Sequence, residues 1–255
     1  MAARDFIKRF FLPFFSIIAF LLLWQLASAV FKIPEWLIPS PRTIILTLIE
    51  ESAEISKNLL VTLLEAFGGF VLGNGFAIIA AIAFVHSPSI ERTGYPFVLA
   101  IRSVPIVAIT PILVLALGNG WEPKVAIAAL ISFFPTLVNM VKGFRSVDAS
   151  AIELMHVLNA TNLKVFTKLR VPSSLPYFFS AMKIAASSSI LGAIVAEWIG
   201  SSTGLGYLII ISTFQFRADL LYATMFVSAL ASVLAFITVG VFERVFIRWE
   251  REIEI

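Results

Sequence analysis

The chain has 255 residues, of which 59% are hydrophobic, with a mean hydropathy of +0.96. Soluble domains are nearer about 45–50% apolar, so the composition predicts a polytopic membrane protein. The absence of cysteine excludes disulfides and thiol chemistry, and two histidines leave little for a transition-metal site. The net charge of +3 is no nucleic-acid footprint, because the basic residues are scattered at the edges of apolar runs.

A membrane-crossing helix needs about 20 predominantly apolar residues. Residues 10–31 meet that length, with Pro13, Trp24 and Gln25 inside. A basic start before an apolar run has the outline of a signal peptide. This run is too long for that role and no small-residue cleavage site closes it, so it reads as a retained span. Residues 32–58 hold Pro34, Pro39 and Pro41; from Pro41 onward Ile44, Ile45, Leu48 and Ile49 oppose Arg42, Glu50, Glu51 and Glu54. That pattern predicts an extended turn and then an interfacial helix.

Residues 59–85 form the second span, in which Gly69 and Gly73 make a small-xxx-small face for close helix contact. A short loop over 86–94 leads to the third span, 95–117, which carries Arg102, Pro105 and Pro111. Gly118-Asn119-Gly120 is a tight turn. The fourth span, 125–141, contains Pro135. The fifth, 177–199, contains Lys183, Ser187-Ser188-Ser189 and Glu197. A Ser/Gly-rich turn over 200–206 and a short helix over 207–216 precede the sixth span, 221–242, and a charged tail. With the N-terminus inside, fourteen of the nineteen Lys and Arg residues fall on inner segments. The positive-inside rule therefore predicts six spans with both termini cytoplasmic.

Between the fourth and fifth spans lies the longest polar stretch, 146–176. Ala151, Leu154, Met155 and Leu158 fall on one helical face. Residues 159–162 break the pattern, and Thr161 or Asn162 can cap a second helix bearing Leu163, Phe166 and Leu169, with Pro172 and Pro176 expected to end it. The prediction is a cytosolic helix-turn-helix that docks a soluble partner.

No G-x-x-x-x-G-K-[ST] loop occurs, so this chain does not split ATP by that route. No single span holds a close carboxylate pair. Arg102 and Lys183 read as lying within about two turns of the cytosolic face, where they can snorkel. Glu65 and Glu197 read as interfacial on the outer side, with Glu197 either a gate or an anchor for the turn after it. Pro105, Pro111 and Pro135 free backbone carbonyls that need partners or a wet cavity, which predicts a pathway lined by the third to fifth spans, Ser187 and Ser188 included.

The motifs resemble a known family. Pro39-Ser40-Pro41, Arg102-Ser103-Val104-Pro105 through Pro111 to Gly118, Phe133-Phe134-Pro135 with Asn139 and Gly143, and Ala196-Glu197 followed by Gly204-Leu205-Gly206-Tyr207 are similar to segments of the membrane permease subunits of bacterial ABC importers. The nearest branch handles nitrate, sulfonates, taurine, bicarbonate and vitamin precursors. The stretch 146–176 resembles that family's coupling loop. Glu153 matches, Leu154 and Met155 stand where the family has Ala, and Asn159 stands where it has Gly; Asn tolerates φ > 0 better than most residues, so the turn is still expected.

The resemblance implies an all-α type I importer (MetI-like) fold of six transmembrane helices. It implies an N-terminal segment 1–58, a permease core 59–245 and a cytoplasmic tail 246–255. It implies ATPase coupling through Ala151, Ile152, Glu153, Leu154, Met155, Leu158, Asn159 and Ala160, and a pathway or gate built from Arg102, Pro105, Pro135, Ser187, Ser188 and Glu197. No cofactor is expected on this chain; ATP and magnesium belong to a partner ATPase. The other partners implied are an extracytoplasmic solute-binding protein, a second permease copy and the lipid bilayer of the bacterial inner membrane, with no nucleic acid. Two alternatives make different demands. A self-sufficient secondary transporter or channel calls for an inverted repeat and a mid-bilayer charge pair. An intramembrane enzyme calls for a nucleophile–base or metal constellation at one depth.

Overall fold

The computed structural model describes residues 2–247, which are helical throughout apart from their connections. Most of the expected tail, 246–255, lies outside the described residues. Helix α1 is Ala2–Val30, and its apolar part Phe15–Val30 exposes Phe15, Leu22 and Leu26. The turn after it leads to α2, Pro41–Glu50, which forms where expected for a local reason. Pro41 occupies the first turn, where its missing N–H costs nothing, and the Ser40 hydroxyl accepts from the Thr43 N–H at 3.2 Å.

Three helices make the core: α3 (Ser52–His86), α6 (Glu122–Arg145) and α9 (Val171–Glu197). Lipid supplies no hydrophobic force between helices, so their contact rests on close packing and polar pairs. A Cβ on Gly69 would fall on the Ala128 side chain and 2.8 Å from the Ala129 nitrogen; one on Gly73 would lie 2.9 Å from Ala129 Cα. The predicted small face of α3 thus seats against α6. Thr136 of α6 donates to Asn74 Oδ1 of α3 inside the same contact, and both side chains are buried. Helix α11 (Ala218–Phe246) packs on α9 and leaves Phe226, Leu230 and Leu234 exposed, as a lipid-facing helix does. The short α10 is Leu205–Phe214.

Among the described residues, four helices are long and apolar enough to cross a membrane: Ser52–His86, Glu122–Arg145, the continuous Asn162–Glu197, and Ala218–Phe246. The third expected span is not one rod. It is α4 (Pro88–Arg102) and α5 (Ile106–Leu117), bent by 97° at residues 103–105. Pro105 has no N–H to continue the ladder, and the residue before a proline is disfavoured in the α region. With α1, these elements account for the six hydrophobic segments read from the sequence.

Two connections differ from expectation. The loop predicted over 86–94 shrinks to Ser87, whose hydroxyl accepts from the Ile90 N–H at 3.4 Å while Pro88 starts α4. Pro172 and Pro176 do not end the second helix of the polar stretch. Helix α8 (Asn162–Val165), a π turn over Phe166–Arg170, and α9 run on as one piece. The π turn carries an i→i−5 bond from Val171 N–H to Phe166 carbonyl, and its altered register admits Pro172 in the next turn without breaking the rod.

Candidate functional site

Three features of the fold bear on function. The first is a cavity of about 510 Å3 at the α4–α5 bend, lined by Arg102 and Val104 on one side, Phe134, Pro135 and Asn139 of α6, and Ile184 and Ser188 of α9. Helix α6 is 24 residues, about 36 Å, and its lining residues 131–139 occupy about 14–26 Å of that length. The cavity is therefore at mid-depth. Arg102, expected within about two turns of the cytosolic face, lines this cavity at the bend. Pro135 has no N–H, so the carbonyl of Ile131, another lining residue, loses its helical partner beside the cavity. Asn139 donates one amide hydrogen to Pro135 carbonyl at 2.7 Å and keeps a second.

Of the predicted pathway residues, Arg102, Pro135 and Ser188 meet at this cavity, and Pro105 lies between the lining residues Val104 and Ile106. Ser187 turns to α11 and donates to Ser232 carbonyl at 3.0 Å. Glu197 is elsewhere. Lys183 pairs with Glu243 of α11 at 2.7 Å. Asn139 also lines the cavity, and its i+4 spacing from Pro135 is the sequence signal that puts the two on one helix face.

The second feature is a buried polar knot near the Glu122 end of the core. Glu197, the last residue of α9, is 1% exposed and enclosed by protein groups. Its Oε1 accepts from the Thr62 hydroxyl at 2.7 Å, and its Oε2 accepts from the Gly206 N–H at 2.5 Å. The Leu205 N–H donates to Thr62 Oγ1 at 2.8 Å, and the Gly204 N–H to Asn58 Oδ1 at 2.7 Å. Gly204 adopts φ +104°, and a Cβ there would lie 2.5 Å from Glu197 Oε2, so the Gly-Leu-Gly segment wraps the carboxylate only because it lacks side chains at 204 and 206. Glu65, also buried, adjoins Glu197 from α3, a carboxyl pair drawn from two spans that a search within single spans misses. Asn58, Thr62 and Glu65 share one helical face, which was the readable signal for this knot. Lys124, 2% exposed, donates to the carbonyls of Asn119 and Gly120 at 2.8 and 2.7 Å and fixes the neighbouring turn.

The third feature is α7, Ala149–Val157, at the opposite end. It has no buried residue, and no other helix packs along it among the described residues. Leu154, Val157 and Leu158 are 59%, 82% and 68% exposed, whereas Ala151, Ile152, Met155 and Ala160 are half-buried. Glu153 is exposed. The exposed apolar face thus includes Val157 and turns Met155 partly inward. The helix closes in a Schellman motif: Ala160 N–H donates to Met155 carbonyl and Asn159 N–H to His156 carbonyl, both at 2.9 Å, with Asn159 at φ +59°. Asn159 therefore makes the turn expected of it. The following segment is tied down, with Phe166 against His86 and Phe144 at ring distances of 4.7 and 5.1 Å.

Residues 73–252 match the family described as binding-protein-dependent transport system inner membrane component. The chain belongs to this family. A probable ABC transporter permease of Haemophilus influenzae is 32% identical over 84% of this chain and 88% of its own length. The formylaminopyrimidine transport permease of Halalkalibacterium halodurans is 30% identical over 94% of this chain and 96% of its own length. A putative aliphatic sulfonates transport permease of Bacillus subtilis is 30% identical over 91% and 85%. The chain is thus a multi-pass permease subunit of the ABC-importer type, not an enzyme, and the secondary-carrier and intramembrane-enzyme alternatives give way to it.

Proposed function

We propose that two copies of this chain form the translocation pathway of an ATP-driven importer, with both termini and the stretch 146–176 on the cytoplasmic side. A solute-binding protein delivers cargo from the outer side. Each α7 docks its apolar face in a groove on a cytoplasmic ATPase, and ATP-linked closure of the ATPases biases the permeases between two states through those contacts. The pathway runs through the mid-depth cavity, with Arg102, Pro105, Pro135 and Ser188 on it, while Ser187 and Glu197 hold its walls in place. The cargo is a small anion or a vitamin precursor; relatives are named for sulfonates, bicarbonate, riboflavin and formylaminopyrimidine.

The observation that supports this most is the protruding α7. Leu154, Val157 and Leu158 stand exposed on a capped helix at an end of the bundle, and each gains about 1.5–3 kcal/mol when fully buried in a partner. The test is Leu154→Asp with Leu158→Asp. The double variant should fold normally, fail to co-purify with its ATPase and lose ATP-dependent uptake in proteoliposomes. Wild-type co-purification and uptake would refute the docking role.

A further inference from the structure

We infer that the cavity at the α4–α5 bend is an anion-binding subsite, in which Arg102 and Ser188 engage a carboxylate, sulfonate or similar oxyanion on the passing cargo. This rests on the pathway reading above and selects the anionic class of cargo within it.

Charge and hydrogen-bond accounting carry the inference. The two lysines that reach into the bundle are satisfied by the protein, Lys183 by Glu243 and Lys124 by two carbonyls. Arg102, exposed on the wall of this mid-helix cavity, forms no hydrogen bond or ion pair with any described residue. A cation at that depth is costly unless paired or wet. The serine run shows the same contrast. Ser187 donates to Ser232 carbonyl and Ser189 to Ala186 carbonyl, while the Ser188 hydroxyl, facing the cavity, has no partner among the described residues. Asn139 adds a spare amide N–H.

No carboxylate among the described residues lines the cavity, and Glu65 and Glu197 are held in the separate knot. The remaining walls, Ile101, Val104, Ile106, Phe134 and Ile184, are apolar and strengthen any charge interaction inside. A guanidinium with two neutral donors and no competing anion suits a planar or tetrahedral oxyanion. Lipid phosphate offers the same chemistry, but headgroups lie at the bilayer edge and the cavity is at mid-depth.

The lack of native cysteine makes a direct test possible, since Ser188→Cys introduces a single thiol. In proteoliposomes, the labelling rates of this variant with an anionic and with a cationic methanethiosulfonate are compared. Adding Arg102→Gln should lower the anionic-to-cationic rate ratio by about tenfold, and Arg102→Lys in the same background should preserve it. Ethanesulfonate should slow labelling, and the uncharged ethyl methyl sulfone should not. The protection should persist in a neutral maltoside detergent without phospholipid. An unchanged ratio in the Gln variant, no labelling by either reagent, or protection that needs phospholipid would overturn the proposal. The assay needs no ATPase, so its failure beside intact ATP-driven uptake would sink the subsite and leave the pathway reading standing.

Discussion

Gly204→Ala isolates the knot that holds the turn between α9 and α10. At φ +104° and ψ 164° the residue occupies a region open essentially to glycine, and forcing alanine there costs about 1–3 kcal/mol. The added Cβ also collides with the Glu197 carboxyl, which cannot retreat: α9 fixes its backbone and Gly206 crowds its other side. Displacing the carboxyl breaks its bonds from Thr62 and Gly206, at about 1–1.5 kcal/mol each. The expected loss is about 3–6 kcal/mol, which at about 2–4 °C per kcal/mol for a chain this size is a fall in Tm of about 6–24 °C. Tryptophan fluorescence on heating the detergent-solubilised protein reads it at one fixed scan rate. Gly75→Ala is the matched control, because nothing lies within 4 Å of its added Cβ and alanine favours a helix interior. A Gly204→Ala protein melting with the wild type would refute the view that the turn is clamped on Glu197.

Glu197→Ala should lower folded yield and cost about 2–4 kcal/mol, since it strands the Gly206 N–H in a buried site, whereas Glu197→Gln keeps an acceptor for it and should retain yield and uptake; size-exclusion recovery and uptake assays check both. Asn159→Gly should leave α7 intact, and Asn159→Val should cost about 1–2 kcal/mol by closing the left-handed conformation at φ +59° to a β-branched residue; faster protease cleavage near residue 159 in the Val variant alone is the expected readout.

The apolar runs were readable because membrane helices need length and composition more than pattern. The Asn159 turn was readable because few residues accept its dihedrals. The bend at 103–105 was not. Pro96, Pro111, Pro135 and Pro176 sit inside helices that continue past them, so a proline alone does not mark the break. Packing alone does not mark it either: α6 and α9 are tightly packed around Pro135 and Pro176, whereas α4 buries no residue and α5 only Thr110, yet Pro96 and Pro111 leave those two helices unbroken. The knot around Glu197 joins residues 58–65 to 197–206, a separation that no local window spans.

The same difference in packing divides the cavity into a fixed wall and a movable one. Phe134, Pro135 and Asn139 stand on α6, seated on α3 through Gly69, Gly73 and the Asn74–Thr136 bond, and Ile184 and Ser188 stand on α9, which meets α6 closely where Gly192 lies against Ala128. Arg102 stands on the α4–α5 corner, which displaces little buried surface when it shifts. Two rigid helices and one loosely held corner are what a two-state pathway needs: the corner can change position without breaking the core. On this arrangement the positive charge travels with the moving element while its neutral hydrogen-bonding partners stay still. In the proposed pathway, rocking of the subunit would alter the distance between Arg102 and Ser188, and so the grip on a bound anion, without a change in any side chain's chemistry.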